Sequence, residues 1–439
     1  MPPELEADTT YFRTYEEREE AFRESVSTLV PRKYSGPRLF WKDFRRISHG
    51  PALADAVEPI AYITGNPRDC LVFGTPVQAL SAARMCALGR HLTEADAVIP
   101  IARRFDLEAH LHQPVRTLSG GETVKVALAK AFIAVNYCRR LTIASPFSWL
   151  SQSNRSHLFD LLERYHRAGL PVTLLALEGE DSVETLPAEA LMKDPHGGPI
   201  HFRLFSRSLV IRLTASVNPL HRADRHASVE DFSADLVSPC LLLGENGQGK
   251  SLVAKALAGA IGTGGEFRVV GPENDGPVRI LLQDVVGQTL LRDFEAIRAT
   301  AGRGQGRRFE RIYREIMGSF AASDTAAGPI PATGRQLAFH SLLEMKAALM
   351  AVRLCGRPGA LIMDEPDWGL SRPVAVDFVF NVIAAAQKRG IPVVLISHKP
   401  WWRKAVGSIL RVRKSGGGHP GDTPCAFRIR LEKVERNIA

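Results

Sequence analysis

The residues Gly244-Glu245-Asn246-Gly247-Gln248-Gly249-Lys250-Ser251 have the types and spacing of a phosphate-binding loop. Glycines let successive backbone N–H groups turn inward around a phosphate, and a following helix adds the favourable end of its dipole. The flanks fit: the apolar run Cys240-Leu-Leu-Leu precedes the loop and the helical run from Leu252 to Ala258 follows it. In such a loop Lys250 reaches the β- and γ-phosphates and the Ser251 hydroxyl ligates Mg²⁺. Further on, Asp364-Glu365 ends the strand-like run Ala360-Leu-Ile-Met. A carboxylate at that point suits Mg²⁺, directly or through water, and Glu365 beside it can orient or deprotonate an attacking water. His398 closes the next apolar run, after Ile396-Ser, where it can meet a γ-phosphate or the water. Gln283, after Ile280-Leu-Leu, is a candidate reporter of γ-phosphate or Mg²⁺ to the helical residues that follow.

A second anion site is written far upstream. Leu118-Ser119-Gly120-Gly121-Glu122 leads directly into the amphipathic run Thr123 to Phe132. A serine hydroxyl and glycine N–H groups at a helix N-terminus favour an anion. Around it the other parts are missing. The region Thr14 to Phe22 is rich in glutamate, and neither Lys33 nor Gly36 has a predecessor of its type. Without glycine no loop can wrap a phosphate, and the acidic side chains would repel one.

The elements that must position these residues come in two copies offset by roughly 220 residues. Arg167 to Leu177 aligns with Arg389 to His398, pairing Gly169 with Gly390, and Leu141 to Pro146 aligns with Leu361 to Pro366. Apolar strands alternate with helices over short connections, which predicts an α/β architecture with mainly parallel sheets. The turn-rich stretch Asp194 to Pro199 is the expected linker, with domains at residues 1–198 and 199–439. A fresh strand pattern, Ser208 to Thr214, opens the second copy, and Ser415 to Pro420 is another turn-rich insert.

Residues 205–414 resemble the ATP-binding-cassette (ABC) ATPases, with the phosphate loop, the Q-loop glutamine, Asp-Glu-Pro and the switch histidine in that order. Leu118 to Glu122 resembles the signature of the same family. The resemblance implies two tandem ABC nucleotide-binding domains, each a P-loop NTPase fold with a helical signature subdomain, packed head to tail. It implies that Gly244 to Leu252 and Gln283 bind ATP, that Ser251, Gln283 and Asp364 hold Mg²⁺, and that Lys250, Glu365 and His398 act in hydrolysis. The signature Leu118, Ser119, Gly120, Gly121 and Glu122 would close on the same nucleotide.

The copies depart from the family in opposite ways. In the first, Gly65 replaces the Q-loop glutamine, Ala144-Ser145 replaces Asp-Glu, and Leu177 replaces the switch histidine. In the second, the signature decays to Ser341-Leu342-Leu343, whose leucines cannot replace two glycines at a phosphate. One composite ATP-hydrolysing site in a monomer is therefore expected, coupling domain closure to action on a macromolecule. The alternatives are the ATPase of a transporter with a separate membrane subunit and an ATP-sensing scaffold. The short linker speaks against the ABC-F translation factors, which carry a long interdomain arm.

With 439 residues, 45% of them hydrophobic and 23% charged, the chain has the composition of a globular protein with several cores. No apolar run approaches the roughly 20 residues that cross a bilayer. The acidic N-terminus Met1 to Asp8 argues against a secretory signal, and six scattered cysteines read as reduced, so a cytoplasmic or similar compartment is expected. The net charge of +9 gathers at Arg303, Arg307, Arg308, Arg311 and Arg314 and after Trp401-Trp402, at Arg403, Lys404, Arg411, Arg413 and Lys414. Such segments are solvated faces or surfaces for a protein or ribonucleoprotein partner.

Overall fold

A computed structural model describes residues 8–27, 60–67, 71, 73–88, 98–115, 118–151, 154–178, 205–217, 227–232, 234–260, 263–264, 267–270, 276–283, 285, 294–318, 320, 342–416 and 427–434. Contacts divide the chain into two compact units, Met1–Asp181 and Ser182–Ala439. The expected linker at 194–199, like Lys33, Gly36 and Ser341, lies outside the described residues.

Among its described residues the first unit holds a four-stranded parallel sheet of β1 (Asp8–Phe12), β2 (Ile60–Ile63), β3 (Arg140–Ala144) and β4 (Val172–Leu177), in the order β1-β4-β3-β2. Helix α1 (Tyr15–Ser27) follows β1 and packs on the sheet through Phe22 against Ala144 and Leu175. Between β2 and β3 lie α2 (Pro76–Leu88), α3 (Ile99–Arg104) and α4 (Gly120–Ala134), and α5 (Arg155–Arg167) joins β3 to β4. The helix-to-strand turn before β4 uses Gly169 at φ +65, where a side chain would be strained.

The second unit repeats this plan inside a larger sheet. Its parallel core is β8 (Cys240–Leu243), β11 (Val278–Leu281), β12 (Ala360–Asp364) and β13 (Val393–Ser397), ordered β8-β13-β12-β11. Every residue of β8, β12 and β13 is buried, which is why these strands read as unbroken apolar runs. Helix α6 (Lys250–Leu257) follows β8, and its Val253, Ala254 and Leu257 share a core with Leu242, Ile362 and Ile396. Helices α7 (Phe294–Ala299), α8 (Gly306–Met317) and α9 (Leu342–Cys355) lie between β11 and β12, and α10 (Arg372–Gln387) joins β12 to β13. Gly390, at φ +67, makes the same turn as Gly169.

Beyond β8 the sheet continues through further strands, one of which contains the expected strand pattern Ser208 to Thr214. β14 (Ser408–Gly416) runs parallel to β8, and β15 (Phe427–Val434) pairs with β14 antiparallel. β5 (Phe205–Val217) pairs antiparallel with β6 (Ala227–Phe232), β7 (Asp235–Ser238), β9 (Thr263–Gly264) and β10 (Phe267–Val270). Antiparallel strands alternate polar and apolar residues, so those other than β5 escape a reading keyed to apolar runs. No described helix is long and apolar enough to cross a membrane.

Candidate active site

Four adjacent parallel strands of the second unit deliver their carboxyl ends to one edge. There β8 runs into Gly244, β13 into His398, β12 into Asp364-Glu365, and β11 into Gln283. The six residues Gly244 to Gly249 form the turn between β8 and α6, with Gly247 at φ +78 and Gly249 at φ +91. A β-carbon on Gly249 would stand 2.6 Å from Ile429 Cδ1, and one on Gly244 2.7 Å from the Val412 carbonyl oxygen. Gly244 therefore needs glycine for clearance from backbone, and Gly249 for its left-handed backbone.

Glu365 is the hub of the charged groups. His398 Nδ1 lies 3.0 Å from its Oε1, the Ser397 hydroxyl donates to its Oε2 at 3.3 Å, and Lys250 Nζ is 3.9 Å from Oε1. Lys250 also donates to the carbonyls of Gly244 (2.8 Å) and Glu245 (3.1 Å). Burial would raise the Glu365 pKa, but the His398, Lys250 and Lys399 charges together outweigh it and hold the carboxyl well below its ordinary range. Glu365 adopts φ +47, unusual for a side-chain-bearing residue, and its N–H donates to Ile396 O at 2.8 Å. His398 Nε2 is buried with no hydrogen-bond partner among the described residues, so one face of the imidazole remains for a ligand.

Asp364 is pushed up to about 6 by burial and then by the Glu365 charge, against a hydrogen bond from Ser251 and the charges of Lys250 and Lys255. Its Oδ1 is buried without a hydrogen-bond partner among the described residues. A hydroxyl touching a buried carboxylate with an orphaned oxygen fits Mg²⁺, which takes one or two protein oxygens and fills its remaining positions from phosphate and water. Among the described residues no cluster of three or more His, Cys, Asp or Glu offers a fuller cage. Gln283 stands half-buried two residues past β11.

Two residues beyond the sequence-derived set support this edge. Ser397 bridges Glu365 and the Lys399 N–H (3.0 Å). Lys346, fully buried on α9, donates to the carbonyls of Pro366 (2.6 Å) and Trp368, tying down the turn that follows Glu365. Ser397 could have been found from its place before His398. Lys346 carried no signal, because a lysine on a helix ordinarily reads as exposed.

The first unit has the same edge with different contents. Ser145 has φ +50 and its N–H donates to Leu175 O at 2.8 Å, the conformation and bond of Glu365. Ala144, Ser145 and Leu177 thus stand where Asp364, Glu365 and His398 do, and the β2–β3 register puts Gly65 at the place of Gln283. Only Arg13 and Thr14 link β1 to α1, too few for a phosphate loop. Glu17 takes up the N–H groups of Arg13 (3.2 Å) and Thr14 (3.3 Å), while Thr14 Oγ1 accepts from Glu17 N. This capping box means that a carboxylate of the chain sits where the N–H groups of a phosphate loop would meet their ligand. Behind it, the wholly buried Arg18 bonds Glu19 at 2.7 Å and lies over the Tyr15 ring.

The first unit's serine-glycine turn is intact. Ser119 is the N-cap of α4: its Oγ accepts from Glu122 N (3.2 Å) and its N–H donates to Glu122 Oε2 (2.7 Å). His110 Nε2 lies 3.3 Å from the other Glu122 oxygen, Leu118 and Gly121 are buried, and Ser119 and Gly120 are half-exposed. In the second unit α9 begins at Leu342, which is buried where the first unit has Gly120.

A phosphate loop, a buried Asp-Glu pair and a histidine at neighbouring strand ends, with a helical layer inserted before the Asp-Glu strand, define the ABC ATPase architecture. No family model matches the chain. It is 27% identical over 161 residues to the zinc import ATP-binding protein ZnuC of Paracoccus denitrificans, covering 36% of this chain and 57% of that protein. Against ZnuC of Ruegeria pomeroyi the figures are 31% over 182 residues, 40% of this chain and 65% of that one, so the chain spans less than two thirds of either relative. Among solved structures, a model of ribosome-bound archaeal Pelota and ABCE1 matches with a TM-score of 0.59 at 15% identity, over 97% of this chain and 74% of that one. A crystal structure of archaeal ribosomal stalk protein aP1 with ribosome recycling factor aABCE1 matches with a TM-score of 0.51 at 14% identity, over 98% and 85%. The chain has the fold of the ABC ATPases and resembles their ATP-binding proteins in sequence.

Proposed function

We propose that the chain hydrolyses ATP at one composite site and couples that cycle to a macromolecular partner. The observation that carries the reading is the contrast between the two strand edges. Lys250, Glu365 and His398 converge in the second unit, while Glu17 and Arg18 fill the corresponding place in the first. Water attacks the γ-phosphate in line, with Glu365 accepting its proton and His398 Nε2 facing the phosphate or the water. When Lys250 turns from Glu365 to the β- and γ-phosphates, Glu365 loses one of the cations that depress it and becomes a stronger base. Ser251, Asp364 and Gln283 would hold Mg²⁺, which neutralises phosphate charge when bound.

The complementary half is Leu118 to Glu122. The Ser119 oxygen accepts the cap bond, which leaves its proton free to donate to a γ-phosphate. Pairing within one chain makes the active species a monomer, and a cytoplasmic setting suits an ATP-driven cycle. The decisive experiment measures turnover and nucleotide stoichiometry in Ser119→Arg. Turnover is lost while one ATP per chain still binds; unchanged turnover, or two hydrolysable ATP per chain in the parent, overturns the composite site. ATP-dependent dimers would move the pairing between chains.

The zinc-import relatives favour a second reading, in which the chain drives a separate membrane subunit. Co-purification with an integral membrane protein would select that reading over a water-soluble partner.

A further inference from the structure

Helix α8 is held by one face and leaves the other charged. Phe309, Ile312, Tyr313, Ile316 and Met317 are buried, with Phe309 and Tyr313 in edge contact with Phe294 and the Ile316 carbonyl bonded to Asn381. On the opposite face Arg307, Arg311 and Arg314 are exposed at i, i+4 and i+7, and Arg303 is exposed in the turn just before, between Gly302 at φ +102 and Gly304 at φ +76.

The carboxylates of the helix are already engaged. Glu310 bonds Arg298 at 2.6 Å and lies 3.9 Å from Arg314, and Glu315 bonds Arg389 at 2.8 Å. Arg303, Arg307, Arg308 and Arg311 have no carboxylate partner among the described residues. Burial, and then repulsion from Arg357, Arg389 and Arg311, lowers the pKa of Arg308, as expected where positive charge is crowded.

We infer that this face of α8 binds the phosphate backbone of a nucleic acid. A guanidinium row along a rigid helix offers repeated bidentate donors to a linear polyanion. An acidic protein surface or a lipid bilayer is held more firmly where apolar anchors accompany the charge. The large exposed hydrophobic residues among those described are Tyr11, Tyr62 and Tyr137, all in the first unit. The second basic segment does not share this character. Trp402 is wholly buried against Phe380, and Arg413 lies 3.5 Å from Glu432.

The inference names a partner class for the function proposed above, but its test needs no hydrolysis. The full chain, without nucleotide, is titrated into a labelled 20-nucleotide oligo-U RNA, the matching oligo-dT and an oligo-glutamate peptide, with anisotropy as readout. Four phosphate contacts predict that log K falls with log salt at a slope of roughly −3 for a single strand. The triple variant Arg303→Gln/Arg307→Gln/Arg311→Gln should weaken binding at least tenfold and bring the slope to about −1, with basal ATPase unchanged. Either strand binding in this way supports the backbone reading, and a preference between them identifies RNA or DNA. Equal binding by the variant, no binding by the parent, or oligo-glutamate binding as tightly as the nucleic acids overturns it.

Discussion

The guanidinium of Arg18 occupies the space that any side chain on Gly65 would need: a β-carbon there would collide with Arg18 Nη2 and stand 2.5 Å from Glu19 Oε1. The glycine at the Gln283-equivalent position and the short link that brings Arg18 to the edge are thus structurally coupled. With only Arg13 and Thr14 before α1, its first turn moves up to the strand ends and Arg18 fills the edge. Gly65→Ala should therefore destabilise the first unit by roughly 1–3 kcal/mol in chemical denaturation. Paired with Arg18→Ala, it should cost less than in the parent background. Additive costs in this double-mutant cycle would mean that the two residues do not share the space.

Glu365 sits among three groups that keep it ionised, so removing its charge should act on chemistry rather than on binding. Glu365→Gln is expected to lower kcat by about 100- to 10,000-fold with ATP affinity nearly unchanged. His398→Ala should lower kcat by less, because Ser397 and Lys250 still orient the carboxylate. Steady-state kinetics alongside equilibrium binding of a non-hydrolysable analogue separates these effects. A rise in Kd matching the fall in kcat/KM in Glu365→Gln would refute the assignment.

What could be read from the chain was whatever is written in consecutive residues. Gly244 to Ser251, Asp364-Glu365 and His398 each combine an apolar strand with a polar end, and the parallel β8, β12 and β13 place all three together. The offset of the two copies was legible for the same reason, since Gly169 and Gly390 each mark a turn before a buried strand. The replacement chemistry of the first unit was not legible. The glutamates near Thr14 suggest repulsion of a phosphate, whereas Glu17 caps the helix and Arg18, the residue that fills the edge, is cationic. Burial of an arginine or of Lys346 depends on which elements close over it, and no local pattern encodes that. Trp402 shows the converse: it stands in a basic segment yet belongs to the core.

Ser119 caps α4 and, in the function proposed, faces a γ-phosphate, and one substitution separates the two roles. Aspartate caps a helix about as well as serine, so Ser119→Asp should leave the first unit's stability within about 0.5 kcal/mol. A carboxylate facing the γ-phosphate would repel it, so ATPase activity should fall at least tenfold. Ser119→Ala provides the contrast, costing about 1 kcal/mol of cap stability. If Ser119→Asp retains full turnover, the serine serves only as a cap.

Lys346 makes the stability of the second unit depend on pH above neutrality. Burial pushes its pKa from the ordinary 10.5 down to about 7, with Asp367 opposing the shift. Between those values the unfolded chain holds a proton that the folded chain does not, so unfolding takes up a proton and stability rises with pH. The gain approaches about 1.4 kcal/mol per pH unit where the difference is complete, and it is lost as pH falls towards 7. A neutral amine still donates to both carbonyls, of Pro366 and Trp368, so the turn after Glu365 keeps its tether. Glu365, held low, changes protonation on the acid side, whereas Asp367, raised by burial and by Glu365, lessens the gain over any range in which it still carries a proton in the fold. Denaturant titrations from pH 7.5 to 9.5 should therefore show the second unit gaining stability, and Lys346→Met should flatten that dependence. A parent chain whose second-unit stability is constant over this range would mean that Lys346 stays charged in the fold.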